Sequence, residues 1–374
     1  MDTLFDIPVT LVSFLITLSI VVFVHEFGHF VIARRNGVRC ESFSIGFGPE
    51  LFGYTDRKGT RWKFSAIPLG GYVKMFGEAE VMHAVEGGHD EPQQPRPLTA
   101  EEKAVSFKYK TIGQRAAVVF AGPAANFLFA IVVFWAIFVI AGRPITEPVI
   151  GQVVKDSVAE AAGFLPGDRI LKIDDTVIDR FEDVQRLIPM AHGAPMTFVI
   201  ERDGSELTIE AQPRIIEDKD PFGNLTKRAV LGIAASGETR RIERPGALEA
   251  LGLSIGQTYT VVDSTFVAVG QMLSGLRGTE DLGGPIRIAK YSGQAARSGW
   301  INFVIFMAIL SVNLGLINLF PVPLLDGGHL LFYAIEAVRG RPLSERTQEW
   351  GLRIGLALVL MLMVFVTWND IVQL

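Results

Sequence analysis

A single cysteine, Cys40, stands in 374 residues, so the chain cannot close a disulfide within itself. Cys40 reads as a small buried hydrophobe, and cysteine usage leaves the redox compartment open. Excess positive charge is also lacking: 35 Lys and Arg against 40 Asp and Glu give a net charge of −5, which lends no support to nucleic-acid binding. The N-terminal residues MDTLFD carry none of the basic side chains that open a secretory signal, so the first apolar segment is expected to stay in the mature chain. Scarcest of all is charge inside the long apolar runs. Hydrophobic residues make up 49% of the sequence, enough for a membrane bundle and one soluble domain.

Four runs have the length and composition of membrane spans: Ile7 to Arg35, Ile112 to Ile140, Ile301 to Phe320 and Leu352 to Trp368, the last being short. A fifth stretch, Leu251 to Leu273, is interrupted by Gln257, Asp263 and Gln271 and reads as an amphipathic or juxtamembrane helix. Lys and Arg cluster after the first span (Arg34, Arg35, Arg39), before the second (Lys108, Lys110, Arg115) and between the third and fourth (Arg339, Arg341, Arg346, Arg353). The positive-inside rule then puts both termini and the region Arg143 to Trp300 outside, and the segment Val38 to Lys110 in the cytoplasm.

The first span holds ionisable residues where a span should have none. In VVFVHEFGHFVIA, His25 and His29 are four apart and share one helix face, with Glu26 beside it. This is the H-E-x-x-H pattern, in which two histidines hold Zn²⁺ and the glutamate is the general base. At 1.5 Å per residue His25 lies about 14 Å from Arg34, well inside a hydrocarbon layer about 30 Å thick. The plainer reading is a pair of histidines and a glutamate satisfied by hydrogen bonds. Against it, ionisable side chains in a span are costly and mark function.

A catalytic zinc needs a third protein ligand. The stretch NLFPVPLLDGGH, Asn318 to His329, breaks the third apolar run with two prolines and a glycine pair; such backbone at membrane depth is tolerated where it lines a polar cavity. On chemistry alone Asp326 and His329 are both suitable. In the cytoplasmic segment, Leu51 to Met75 reads as a β-hairpin around Asp56 to Thr60, with Gly70-Gly71 marking a sharp turn or a close backbone approach. A strand edge beside a metal site could hold a peptide extended; a hairpin with no substrate role fits the sequence equally. Gly77 to Glu102 reads as a flexible loop whose His83 and His89 lack metal-site spacing. Beyond Arg143 the pattern is strand Val149 to Val154, helix Val158 to Ala162, strand Arg169 to Ile173, helix Phe181 to Ile188, and a hairpin of Met196 to Arg202 and Glu206 to Ala211 around Asp203-Gly204. That order, with Gly163 and Gly167-Asp168 at its turns, resembles a circularly permuted bacterial PDZ domain. A peptide groove is expected between the Val149 strand and the Phe181 helix.

HEFGH, AGPAANF and NLFPVPLLDGGH, with GFGP at Gly46, IPLGGYVKM at Ile67 and GGPIRIAK at Gly283, together resemble the site-2 protease family of intramembrane zinc metalloproteases, in its bacterial RseP-type branch with one PDZ domain where the best-known members carry two. The resemblance implies an α-helical polytopic membrane protein of about four transmembrane helices, with a membrane-embedded zinc site, a cytoplasmic β-hairpin and an inserted periplasmic PDZ domain. It implies one Zn²⁺ per chain, held by His25, His29 and Asp326 rather than His329, with Glu26 catalytic. It further implies that Asn318 and the strand Gly70, Gly71, Tyr72 hold the substrate. The expected divisions are 1–36, first span with HEFGH; 37–110, cytoplasmic hairpin and loop; 111–142, second span; 143–217, PDZ; 218–300, PDZ-to-membrane region; 301–338, third span and LDGGH; 339–374, fourth span and C-terminus. Substrates would be single-span proteins of the bacterial inner membrane, such as anti-sigma factors already trimmed by another protease and signal-peptide remnants, and the PDZ domain would bind peptides or screen by size. A non-catalytic PDZ scaffold or an ion pathway through the same polar residues are the competing classes, and nucleic acid is not an expected partner.

Overall fold

The computed structural model describes residues 3–77, 98–191, 193–219, 225–236, 240–274 and 282–372. These cluster into two compact units, one within Met1–Phe134, Leu253–Thr265 and Leu282–Leu374, the other within Trp135–Gly252 and Phe266–Asp281.

The first unit begins with helix α1 (Thr3–Arg35). Its last turn carries Arg34 and Arg35, favourable beside the carbonyl end of a helix dipole. The helix stops where Gly37 turns to φ +68°, so that Val38 N–H reaches back to the Ala33 carbonyl. Strands β1 (Cys40–Thr55) and β2 (Arg61–Met75) follow, longer than the hairpin expected from Leu51 onward. They double back on each other: Phe43 lies opposite Val73 on one side and Trp62 on the other, and Ile45 opposite both Gly71 and Phe64. The pairs Ser42 with Arg61 through Ile45 with Phe64 rise in number together, so that side of the ladder runs parallel while Cys40 to Met75 runs antiparallel. Phe43 and Trp62 stack at 4.5 Å, and Phe30 of α1 meets Trp62 edge-on at 5.0 Å, which seats the sheet on the end of α1. Cys40 is buried here, as its small apolar side chain suggested.

Helix α2 (Ala100–Val105) is closed by a capping box between Thr99 and Glu102. It corrects the expectation of a flexible loop to Glu102: the last three residues of that stretch are helical. The rest of the loop, with His83 and His89, lies outside the described residues. Helix α3 (Ile112–Ile140) has the bounds the sequence predicts.

The other unit contains β3 (Arg143–Thr146), β4 (Ile150–Val153), α4 (Val158–Ala162), β5 (Arg169–Ile173), β6 (Thr176–Val177), α5 (Phe181–Met190), β7 (Met196–Arg202), β8 (Ser205–Ala211), β9 (Arg214–Lys219), β10 (Leu225–Val230), β11 (Ile233–Ala235) and β12 (Arg240–Glu243). The main sheet runs β6-β5-β7-β8. Phe164, Ile170, Ile173, Phe198 and Ile200 fill the core. Buried Asp168 accepts two bonds of 2.7 Å from the Arg202 guanidinium, the planar fork matching the carboxylate. The expected groove beside the Val149 strand is corrected: β11 pairs with β4, with Ala234 opposite Gln152, while Ile150 exchanges backbone bonds with Asp168 and Gly167 on its other side. Leu231 also enters the core, so this fold continues past residue 217.

Helix α6 (Ala247–Leu273) buries Ala250, Ser254 and Thr258 at four-residue spacing and exposes Leu251, Ile255 and Tyr259. Helix α7 (Pro285–Arg297) packs on α1 closely enough that a Cβ at Gly293 would meet Thr10 Oγ1 at 2.3 Å. Helices α8 (Trp300–Asn318), α9 (Asp326–Arg339) and α10 (Glu345–Val372) complete the chain. α10 is longer than the short run Leu352 to Trp368 suggested. Its buried Asp370 accepts the Gly284, Ile286 and Arg287 backbone N–H groups at the start of α7, at 2.9, 3.0 and 3.0 Å. Among the described residues, four helices are long and apolar enough to cross a membrane: Ile7–Arg35, Ile112–Ile140, Trp300–Asn318 and Arg346–Val372.

The turn between β1 and β2 is organised by Asp56. Its carboxylate accepts Lys58 N–H at 2.9 Å, Thr60 N–H at 3.1 Å, the Trp62 indole at 3.2 Å and Arg34 at 2.5 Å. Partial burial would raise its pKa, but the Thr60, Trp62, Lys58 and Arg34 donors outweigh that and hold it down to about 2. A depressed carboxylate stabilises the fold above its unfolded pKa of about 4 and loses that contribution as pH falls toward 2. Asp56→Ala is therefore expected to speed amide exchange at Lys58 and Thr60 about tenfold at pH 7, roughly the effect of one lost charged hydrogen bond. The difference from wild type should shrink as pH falls from 4 through the folded pKa of about 2, and a gap still tenfold at pH 2 would rule the ionised carboxylate out as its source.

Candidate metal centre

The helical spacing of His25 and His29 brings their Nε2 atoms to 3.2 Å, with the rings 4.7 Å apart and nearly perpendicular. Asp326, the first residue of α9, adds an oxygen: Oδ2 lies 3.2 Å from His25 Nε2 and 3.5 Å from His29 Nε2. A tetrahedral zinc with bonds of about 2.0 to 2.2 Å separates its ligand atoms by about 3.3 to 3.6 Å. The three donor atoms thus already stand at the edge length of such a tetrahedron. Both histidines are buried, and Asp326 Oδ2 is buried with no well-aligned hydrogen bond. A buried carboxylate oxygen in that position is costly without a cation. His329, the alternative on chemistry, lies one turn further along α9 and is not part of the set.

A second layer comes from one face of α3. The Val118 carbonyl accepts from His29 Nδ1 at 2.9 Å, which fixes that ring with Nε2 toward the donor cluster. The Asn126 side-chain amide, fully buried, lies 3.3 Å from His25 Nδ1. The atom facing His25 Nδ1 is Asn126 Nδ2, while Oδ1 is buried without a hydrogen-bond partner among the described residues; turning the amide over would let Oδ1 accept from Nδ1–H and leave His25 Nε2 as a ligand. Between them sits Gly122: a Cβ there would be 2.2 Å from His29 Nε2 and 2.8 Å from His25 Cε1. Gly28 of α1 is equally confined, 2.3 Å from the Ala121 carbonyl for the same added atom. The motif AGPAANF is small because two helix backbones touch there.

Sequence reasoning missed Val118, Gly122 and Asn126 as parts of the site. An asparagine and a Gly-Pro pair inside an apolar run were the available signal.

The break after α8 delivers Asp326. Pro321 and Pro323 prevent the helix from continuing, and Leu324 adopts φ +106°, sparsely populated for a residue with a side chain. Gly327 would place a Cβ 2.3 Å from the Leu319 and Phe320 carbonyls, and Gly328 2.4 Å from that of Val322. The glycine pair lets α9 begin directly against the turn.

Glu26 faces β2. A Cβ at Gly71 would be 3.3 Å from Glu26 Cγ, and the Val73 backbone hydrogen-bonds the Glu26 carboxylate. Gly70 has φ +126°, and an added Cβ would strike the Phe47 ring at 2.5 Å, which bears out the expected close approach. Tyr72 is buried, pairs with Ser44 and accepts from Lys63 Nζ at 2.8 Å. Asn318 Nδ2 stands 3.5 Å from His25 Nε2. The structure therefore gathers His25, His29 and Asp326, with Glu26 and Asn318 beside them and the 70–72 strand along one flank.

Gly122→Ala should be harmless to a helix on propensity alone, yet it inserts a methyl group between the histidines. We expect the purified variant to keep its secondary structure and lose at least tenfold in zinc affinity by chelator competition; unchanged affinity would show that the contact does not govern the ligands.

The family model for peptidase family M50 matches residues 13–362. A protein named as a candidate zinc metalloprotease from Rhizobium meliloti (strain 1021) is 46% identical over 368 residues, covering 98% of this chain and 97% of that one. One of the same description from Agrobacterium fabrum is 45% identical over 364 residues, covering 96% and 95%. Metalloprotease MmpA of Caulobacter vibrioides is 38% identical over 381 residues, covering 97% and 95%. Among solved structures, the PDZ domain of an SdrC-like protein from Listeria monocytogenes covers 25% of this chain at 18% identity and a TM-score of 0.19, too low to support a structural conclusion. The chain belongs to peptidase family M50, the site-2 protease family, and is a zinc metalloprotease.

Proposed function

We propose that this protease cleaves peptide bonds within or next to the membrane-spanning segments of single-span proteins, with His25, His29 and Asp326 holding its zinc and Glu26 as general base. The carrying observation is that two histidine nitrogens on an apolar helix, about 14 Å from its arginine end, and an Asp326 oxygen from the start of α9 stand 3.2 to 3.5 Å apart. Zinc bound there supplies Lewis acidity, lowering the pKa of water and polarising a peptide carbonyl.

The chain's own groups supply the rest. Glu26, beside the donor cluster, takes a proton from the attacking water and returns it to the leaving amine. A substrate helix must unwind, because a helical carbonyl is engaged in its own hydrogen bond. The Gly70 to Tyr72 strand offers backbone groups to an extended substrate, and Asn318, at the edge of the cluster, can hold the opened backbone. Gly71 brings that strand within van der Waals reach of Glu26, so a peptide paired with it would run past the base.

By the distribution of Lys and Arg, the protein is a multi-pass protein of the bacterial inner membrane with both termini and the PDZ-type unit on the periplasmic side. Anti-sigma factors already trimmed by another protease and signal-peptide remnants are the substrates the family suggests. The PDZ-type unit binds their exposed ends or screens them by size.

Glu26→Gln preserves shape and removes the base. Cleavage of a single-span test substrate by the purified variant should fall by about 10² to 10⁴, with zinc content unchanged. Turnover at the wild-type rate would eliminate Glu26 as the base, and loss of zinc would give it a different role.

A further inference from the structure

The clasp between α3 and the far end of α9 has no part in the chemistry above. Arg115, in the first turn of α3, donates from Nη2 to Glu336 Oε1 at 2.7 Å, and the two side chains are only 15% and 14% exposed. The guanidinium is held from two further sides: Nε donates to the Lys110 carbonyl at 3.2 Å, and Cζ lies 4.7 Å from the centre of the Tyr333 ring. Glu336 is ten residues beyond Asp326 on the same helix, about 15 Å along its axis. Arg115 is three residues before Val118, seven before Gly122 and eleven before Asn126, so it belongs to the α3 face that orients both histidines.

We propose that Arg115 is a positioning residue for the zinc site: through Glu336 it fixes the rotation of α9, and with it the place of the Asp326 carboxylate. The glycine pair at the start of α9 resists sliding, because Gly327 and Gly328 abut carbonyls of the preceding turn. Further along α9, Tyr333 and Glu336 meet Arg115 and hold the helix against rotation about its axis. A carboxylate oxygen about 5 to 6 Å from that axis moves about 2 Å for a rotation of 20°, whereas a metal site tolerates about 0.2 Å in its bonds. The Arg115 fork and the Tyr333 ring, on neighbouring turns of α9, block that rotation and refer it to the helix that already holds the histidines. The proposal rests on Asp326 being a zinc ligand.

The test uses the full-length protein in detergent and measures zinc dissociation by competition with a chromophoric chelator. Arg115→Met and Glu336→Gln should each bind zinc about 10- to 100-fold more weakly, the range found when outer partners of metal ligands are removed. The exchanged pair, Arg115→Glu with Glu336→Arg, should return to within about threefold of wild type. With substrate, kcat should fall at limiting zinc and recover in excess zinc, while KM stays put. Arg143→Met, which breaks a comparable clasp to Glu243 in the other unit, should leave zinc affinity unchanged. A monodisperse Arg115→Met protein with wild-type zinc affinity overturns the proposal, as does an exchanged pair no better than either single change. If Arg115→Met fails to fold, Glu336→Gln, which removes the charge of the pair at unchanged side-chain size, decides by the same measure. Asp326→Ala separates the two levels: if it loses zinc while the clasp variants do not, only the positioning role falls; if it keeps zinc, the ligand assignment falls with it.

Discussion

The approach of α1 to α3 at Gly28 and Gly122 is the constraint on which the rest depends. Lipid provides no hydrophobic drive to bring two apolar helices together, so close contact must come from backbone packing and polar bonds across the interface. Here both are present on one stripe. The Val118 carbonyl and the Asn126 amide take the two Nδ1 positions, and the missing side chain of Gly122 leaves the rings room to stand side by side. Each ring meets α3 through Nδ1, which leaves its Nε2 facing the donor cluster. Ser311 of α8 extends the same layer by donating to the Asn126 carbonyl at 3.1 Å.

Much of this was legible where the signal is local. HEFGH fixes two donors because a helix makes residues four apart into neighbours, whatever surrounds them. Span lengths follow from apolar runs, and Asp203-Gly204 announces its hairpin. What escaped was information about which distant segments meet. On local chemistry Asp326 and His329, one turn apart on one helix, stand equal; the family resemblance singles out Asp326, and the path of the Pro321 to Leu325 turn is what brings it to the histidines. Asn126 has no sequence neighbour that discloses its partner 101 residues earlier. β11 claims the edge of β4 from about 80 residues away, a pairing that a three-residue strand cannot advertise. The fourth span was underestimated because charged residues at its start, Glu345, Arg346 and Glu349, hide a helix that local hydropathy does not reward.

The sheet of β1 and β2 illustrates a different limit. A hairpin was expected and a hairpin is there, but it curls so that Cys40 to Ile45 becomes a middle strand with partners on both sides. Its far half leaves Leu51, Phe52 and Tyr54 exposed, while its near half is clamped between Phe30, Trp62 and Val73. Alternation of side chains predicts which residues share a face; it does not reveal that one strand serves two ladders. The doubled pairing makes the Gly70 to Tyr72 segment an outer strand, with Gly71 beside Glu26.

About 300 residues separate His25 from Asp326. A ribosome adding about 5 to 20 residues per second needs on the order of 15 to 60 s to travel from one to the other. Through that interval the nascent chain has His25, Glu26 and His29 but not Asp326. If the proposed donor set is the working one, its division along the chain delays hydrolytic competence until Asp326 has been made, so apolar segments emerging earlier, its own among them, are made in the presence of an incomplete site.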